Sequence, residues 1–260
     1  MKEKNTQVWN NDLNSIKVFN KMSSKILILQ TCDDKSKYNQ MLDITSEINK
    51  KYCDQHGYSY AEFRGIKRGV HPWHATFNRI YLIREIMVNH PKYEWVMYID
   101  ADAMVVDFNR TIEDVIADAN AQDKVIIIDG YGLEHENIKI NAGIFLFNMK
   151  HESSMNLIEL WRHSCEIMIN SDDLERYKEH SIPTTRFLLD DQFALMLIFN
   201  MLTMSERFSR VVCRLLGKTL STFVIQELRP NRGIDRVDVE ARIYKLYEKS
   251  KNVKIEYGLH

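Results

Sequence analysis

Trp95-Val96-Met97-Tyr98-Ile99-Asp100-Ala101-Asp102 is a near-continuous apolar run that ends abruptly in two carboxylates. A strand this apolar predicts burial on both faces, and it delivers whatever follows it to the edge of a sheet. Working outward, Ile26 to Gln30 reads as a second buried strand opening into Thr31, Cys32, Asp33 and Asp34. Met41, Leu42, Ile48 and Tyr52 recur at helical spacing between Tyr38 and His56, and Gly57 can take the left-handed conformation that closes a helix. Tyr58 to Phe63 alternates like a strand, a loop carries Arg64, Gly65, Lys67, Arg68 and Gly69, and the next helix runs to His90, where Pro91 stops it. Beyond Asp102, helices are expected at Thr111–Asn120, Met155–Ile169, Asp191–Leu202 and Val237–Ser250, and strands at Val125–Ile128 and Ile144–Phe147. This alternation predicts a single-domain α/β fold: an open, mostly parallel sheet with helices on both faces and ligands beyond the carboxyl ends of the strands.

The 260 residues are 45% hydrophobic, 27% charged and 10% aromatic, the balance of a globular protein. The 35 Lys and Arg offset 36 Asp and Glu, so no overall field draws nucleic acid or an anionic membrane. The longest apolar stretches, such as Phe193 to Phe199, fall far short of the roughly 20 residues of a transmembrane segment. Residues 1–24 are polar without a signal-peptide core and read as an extension before a domain spanning 25–260, which makes a cytoplasmic location the expectation. Cys32, Cys53, Cys165 and Cys213 stand far apart without C-x-x-C spacing, the pattern of buried free thiols in a reducing compartment.

Asp100-Ala101-Asp102 is the only D-x-D in the chain. Two carboxylates this close repel in a dry site unless a divalent cation neutralises them, and hard oxygen ligands suit Mn²⁺ or Mg²⁺ holding a diphosphate. The plain alternative is a solvated, Asp-rich turn. A second pair, Asp190-Asp191, precedes Gln192 and an apolar run. It reads equally as a helix N-cap and as anionic groups that bind sugar hydroxyls and steady a developing oxocarbenium charge. Asn141-Ala142-Gly143 places small residues and an amide just before a strand, where backbone can approach a ligand closely. His71 and His74 lack further ligands at metal spacing and read as loop residues.

Together these pieces resemble a known family. Thr76-Phe77-Asn78-Arg79-Ile80-Tyr81-Leu82-Ile83-Arg84-Glu85-Ile86-Met87 and Tyr93-Glu94-Trp95-Val96-Met97-Tyr98-Ile99-Asp100-Ala101-Asp102-Ala103 resemble the fungal α-galactosyl and α-mannosyltransferases and plant xyloglucan xylosyltransferases. Asn141-Ala142-Gly143-Ile144-Phe145-Leu146 and Leu189-Asp190-Asp191-Gln192 match later motifs of that family in the same order, so the similarity runs from about Ile26 to Ala194. The resemblance implies a GT-A fold, a UDP- or GDP-sugar donor, Mn²⁺ (or Mg²⁺), a glycan or other hydroxyl acceptor, and retention of anomeric configuration.

By position, the resemblance assigns the metal and donor diphosphate to Asp100 and Asp102, with Ala101 on the ribose side. Thr31 and Tyr38 fall beside the base and ribose, Asn141 beside the donor sugar or acceptor, and Asp190, Asp191 and Gln192 around the anomeric carbon. Arg79 stands where the family usually has Lys, and its fixed charge still suits a phosphate. Where relatives place a metal-binding His near the C-terminus, this chain has Gln226, with Glu227 or water as substitutes, and Arg229 lies in a loop that reads equally as a closure over the diphosphate and as a plain exposed loop. Two rivals follow. A haloacid-dehalogenase-like phosphatase also sets D-x-D after a buried strand, although Met104 departs from its pattern, and a degenerate domain would bind a glycan or partner without turnover.

Overall fold

The computed structural model describes residues 6–9, 16–19, 23–69, 72–131, 138–169, 190–203, 213–215, 220–227 and 236–259. Two strands dominate its centre. β3 (Ile26–Cys32) is buried along all seven residues, and β5 (Trp95–Asp100) pairs parallel to it, with Thr31 opposite Asp100. β4 (Ser59–Arg64) lies parallel on the other side of β3. β8 (Lys139–Asn148) runs antiparallel to β5, with Ile99 opposite Ile144. β7 (Ile126–Tyr131) and β9 (Cys213–Leu215) complete that flank, and β1 (Thr6–Trp9) and β2 (Ile16–Phe19) the other, in the order β1-β2-β4-β3-β5-β8-β7-β9.

Helices cover both faces. On one, α2 (Asn78–Asn89), α4 (Ser154–Ile169) and α5 (Asp191–Thr203) bury Ile83, Trp161 and Leu195 against Tyr98, Phe145 and Phe147. On the other, α1 (Tyr38–His56), α3 (Ile112–Asp118) and α7 (Arg236–Tyr257) bury Tyr52, Val115 and Leu246 against Ile28, Met97 and Leu146. The alternating side chains of one strand thus feed two cores, which is why β5 is apolar from Trp95 to Ile99. Helix ends follow local chemistry: Gly57 closes α1 at φ 73°, and Thr111 opens α3 in a capping box with Asp114. A short helical turn, α6 (Leu220–Phe223), leads into β10 (Val224–Gln226), which pairs with β6 (Ala103–Val105) in a separate small sheet and sets Gln226 opposite Ala103.

One sequence expectation needs correction. The sheet is mixed rather than mostly parallel, with three parallel and four antiparallel pairings among the described residues. Parallel neighbours need a crossover of about a dozen residues or more, and the connection from Tyr131 to Lys139 is too short for one, so β7 and β8 run antiparallel. Residues 6–9 and 16–19 form β1 and β2, and Ile16 and Val18 enter the core. Cys32, Cys53 and Cys165 are buried free thiols, as expected. No described helix is long and apolar enough to cross a membrane.

Candidate functional site

The carboxyl end of β5 and the turn into β6 carry Asp100, Ala101 and Asp102. This turn is buried, so its carbonyls need partners. Gln30 Nε2 donates to the carbonyls of Asp100 (3.1 Å) and Ala103 (3.2 Å), and Thr45 Oγ1 to that of Ala101 (2.9 Å). Asn49 donates to Gln30 Oε1 (2.8 Å) and accepts from the Val105 N–H (2.9 Å), while Tyr60 donates to Gln30 Oε1 (2.8 Å). Gln30, Thr45 and Asn49, each 0% exposed, form a buried network that holds the acidic turn in place.

Each acid is gripped from a different side. Asp100 Oδ1 accepts from Arg79 Nη2 (3.0 Å) and Tyr98 (2.9 Å), and the Arg79 guanidinium lies 4.4 Å over the Tyr98 ring. Arg79, in the first turn of α2, also donates to the carbonyls of Ala142 and Thr76. Its Nε lies 3.1 Å from Asp191 Oδ2, an ion pair without hydrogen-bond alignment. Asp102 Oδ2 accepts from Arg242 Nη2 on α7. Arg242, 2% exposed, also donates to the Glu227 carbonyl (2.7 Å) and to the Tyr38 hydroxyl (3.3 Å).

The remaining oxygens converge. Gln226 Nε2 donates both to Asp100 Oδ2 and to Asp102 Oδ1, at 3.0 Å each. Asn141 Nδ2 donates to Gln226 Oε1 (3.0 Å), and Asn141 Oδ1 accepts the Gly143 N–H (3.0 Å). A Cβ on Gly143 would stand 2.5 Å from Gln226 Nε2 and 2.6 Å from Asp100 Oδ2, so only glycine admits this packing. Gln192 Oε1 accepts from the Ala142 N–H (3.1 Å), and Asp190 caps α5 by accepting from the Phe193 N–H (2.7 Å).

Burial pushes the Asp102 carboxyl up to about 7, Asp100 adding to the shift and Arg242 and Gln226 opposing it. Burial likewise pushes Asp191 up to about 7 against the pull of Arg79, with Asp190 and Asp100 raising it further. For Arg79, burial works against the charge, but Asp100 and Asp191 outweigh it and its pKa is raised.

The structure therefore gathers Asp100, Ala101, Asp102, Arg79, Asn141, Asp190, Asp191, Gln192 and Gln226 at one rim of the sheet, with Thr31 linked through Tyr98 (3.2 Å) and Tyr38 through Arg242. Arg229 lies outside the described residues, as do His71 and Leu189. Glu227 pairs with Lys249. Arg242 and the Gln30–Thr45–Asn49 network escaped the sequence reading; a glutamine closing the run Ile26-Leu27-Ile28-Leu29 was the available signal. Two hard oxygens aimed at one point, with cations on either flank, fit a divalent ion shared with a diphosphate. Among the described residues no group of three or more His, Cys, Asp or Glu could hold a metal.

Comparison with known proteins bears on this rim directly. Residues 22–139 match the galactosyl transferase GMA12/MNN10 family. A protein named probable glycosyltransferase 2 from Oryza sativa subsp. indica is 32% identical over 84 residues, covering 31% of this chain and 16% of the relative. An uncharacterized alpha-1,2-galactosyltransferase of Schizosaccharomyces pombe is 29% identical over 75 residues, covering 28% and 22%. The chain thus spans less than a quarter of the length of these relatives. Among solved structures, a glycosyltransferase involved in the glycosylation of the major capsid of PBCV-1 aligns with a TM-score of 0.53 and 15% identity, over 85% of this chain and 98% of that one. The resemblance drawn from the motifs is borne out for residues 22–139, which hold Arg79 and the acidic turn and carry the pattern of the galactosyl transferase GMA12/MNN10 family, and the fold is GT-A.

Proposed function

We propose that this chain transfers a sugar from a nucleoside diphosphate donor, UDP- or GDP-linked, to a hydroxyl of a glycan or similar acceptor, with retention of anomeric configuration. The observation that carries the reading is the convergence of Asp100 Oδ2 and Asp102 Oδ1 on one point, beside Arg79, at the carboxyl end of β5. In the reaction the anomeric carbon–oxygen bond to the diphosphate breaks, a bond to the acceptor oxygen forms, the acceptor proton leaves, and nucleoside diphosphate is released. Mn²⁺ or Mg²⁺, held by Asp100 and Asp102, would supply positive charge to the departing diphosphate.

The chain's own residues do the positioning. Arg79, locked by Asp100, Asp191 and two carbonyls, is a fixed charge that reorganises little during reaction. The small side chain of Ala101 leaves the backbone of the acidic turn open to close approach by the donor, with Tyr38 and Thr31 toward its base and ribose. Asn141 and Gln192 orient the strand around Ala142 and Gly143 beside the donor sugar. Asp190 and Asp191 place negative charge near the anomeric carbon, where the transition state gains positive charge. Retention rests on the family resemblance, and the buried free thiols of Cys32, Cys53 and Cys165 accord with the expected cytoplasmic, reducing compartment.

A thermal-shift screen of nucleotide sugars with and without Mn²⁺ tests the assignment, since a ligand that binds only the native state raises its midpoint. A rise for one nucleotide sugar, larger with Mn²⁺, is the expected result. Orthophosphate release from simple monoesters would favour the phosphatase reading, and binding without turnover the degenerate domain.

A further inference from the structure

Gln226 occupies the place that decides how the acidic pair is loaded, and its orientation is set by a chain of donors. The Gly143 N–H can only donate, so the atom of Asn141 that it meets must be the oxygen. Asn141 therefore turns its NH₂ to Gln226, whose facing atom must be Oε1. The other end of Gln226 is then its NH₂, which satisfies Asp100 Oδ2 and Asp102 Oδ1 at once. With Arg79 and Tyr98 on Asp100 Oδ1 and Arg242 on Asp102 Oδ2, each of the four carboxylate oxygens already has a protein donor. We propose that Gln226 is a neutral plug in the acidic pair rather than an oxygen ligand: it must withdraw before Asp100 and Asp102 take up a divalent ion, so metal is accepted together with the donor diphosphate and only weakly before it.

The physical basis is a competition. An ion arriving alone must break two charge-assisted hydrogen bonds and strand the Gln226 NH₂ beside a cation, with Arg79 and Arg242 already offsetting the carboxylates. An ion arriving with a diphosphate brings extra negative charge and oxygen acceptors that can receive the freed amide. Gln226 thereby couples metal and donor binding through a differential interaction, the requirement for any such coupling.

This inference rests on the donor-site reading above, and its test separates the two. Mn²⁺ binding is followed by electron paramagnetic resonance of the free ion, with and without UDP and GDP, for the wild type, Gln226→Glu and Gln226→Ala. The wild type should bind Mn²⁺ at least about tenfold more tightly when a nucleoside diphosphate is present. Gln226→Glu turns the plug into a third converging carboxylate, and Gln226→Ala removes it. Each variant should bind Mn²⁺ alone about tenfold or more tightly than the wild type, narrowing the nucleotide effect. Wild-type protein that holds Mn²⁺ equally well with and without a bound nucleotide, or folded variants whose affinity for Mn²⁺ alone is unchanged, overturns the plug and leaves the donor reading standing. Failure of every nucleotide to bind, at any Mn²⁺ concentration, overturns both.

Discussion

Asp100 and Asp102 are separated by one residue, yet they are anchored by different halves of the molecule. Asp100 is held from the face of α2, where Arg79 spans Asp100, Asp191 and the carbonyls of Thr76 and Ala142. Asp102 is held from the opposite face, where Arg242 of the last helix spans Asp102, the Glu227 carbonyl and Tyr38. The first anchor lies inside the segment that matches the family and the second far outside it. The difference teaches that one motif can draw its electrostatic support from distant parts of the chain, and that only the nearer half leaves a local pattern.

The comparison can be broken by removing each anchor. Arg79→Met leaves two acids short of a cation, one of them almost wholly buried, and should cost about 3–5 kcal/mol in urea unfolding at neutral pH. A loss below about 1 kcal/mol would show that Arg79 is not the keystone of that side. Arg242→Met should cost less, about 2–3 kcal/mol, because Asp102 keeps its bond from Gln226. If it costs more than Arg79→Met, the ranking of the two sides is wrong.

The pH dependence sharpens the contrast. Asp191 has an ordinary value of 3.8 and is raised to about 7, so between those values the native state holds a proton that the unfolded chain releases. Stability of the ligand-free protein should therefore fall as pH rises from about 4 to about 7, and Asp191→Asn should make that fall shallower, with Asp102, raised to the same range, keeping its own share. Unfolding free energies at the two ends of the window decide it; an unchanged slope in the variant removes Asp191 as the source. The smallest effect is expected at Tyr38→Phe, which deletes the 3.3 Å acceptor for Arg242. It should cost about 0.5–1.5 kcal/mol in stability, while a large loss of nucleotide affinity in calorimetry would mark Tyr38 as a direct donor contact.

The central strands and most helices were legible because their signals are local. β3 and β5 open on the apolar runs Ile26–Leu29 and Trp95–Ile99, α1 shows helical spacing closed by Gly57, and α3 carries its own capping residue. β6, β9 and β10 were not legible, since each is three residues long and exists through a partner remote in the chain. The acidic turn, Arg79 and the Asn141–Gly143 strand were read by position, and Gln226 was placed near the pair although its amide faces it nitrogen first. Arg242 was hidden because it shares the inward stripe of α7 with Leu246, Ser250 and Val253, where a lone arginine looks like a break in an apolar face. Its meaning depends on Asp102, a contact 140 residues away.

The central claim is that the Asp100–Asp102 pair serves sugar transfer. Its most direct test is release of nucleoside diphosphate from a nucleotide sugar in the presence of Mn²⁺, comparing wild type with folded Asp102→Asn. The expected result is measurable release by the wild type and a loss of about 10²–10³-fold or more in the variant. Equal turnover by the two proteins would contradict it.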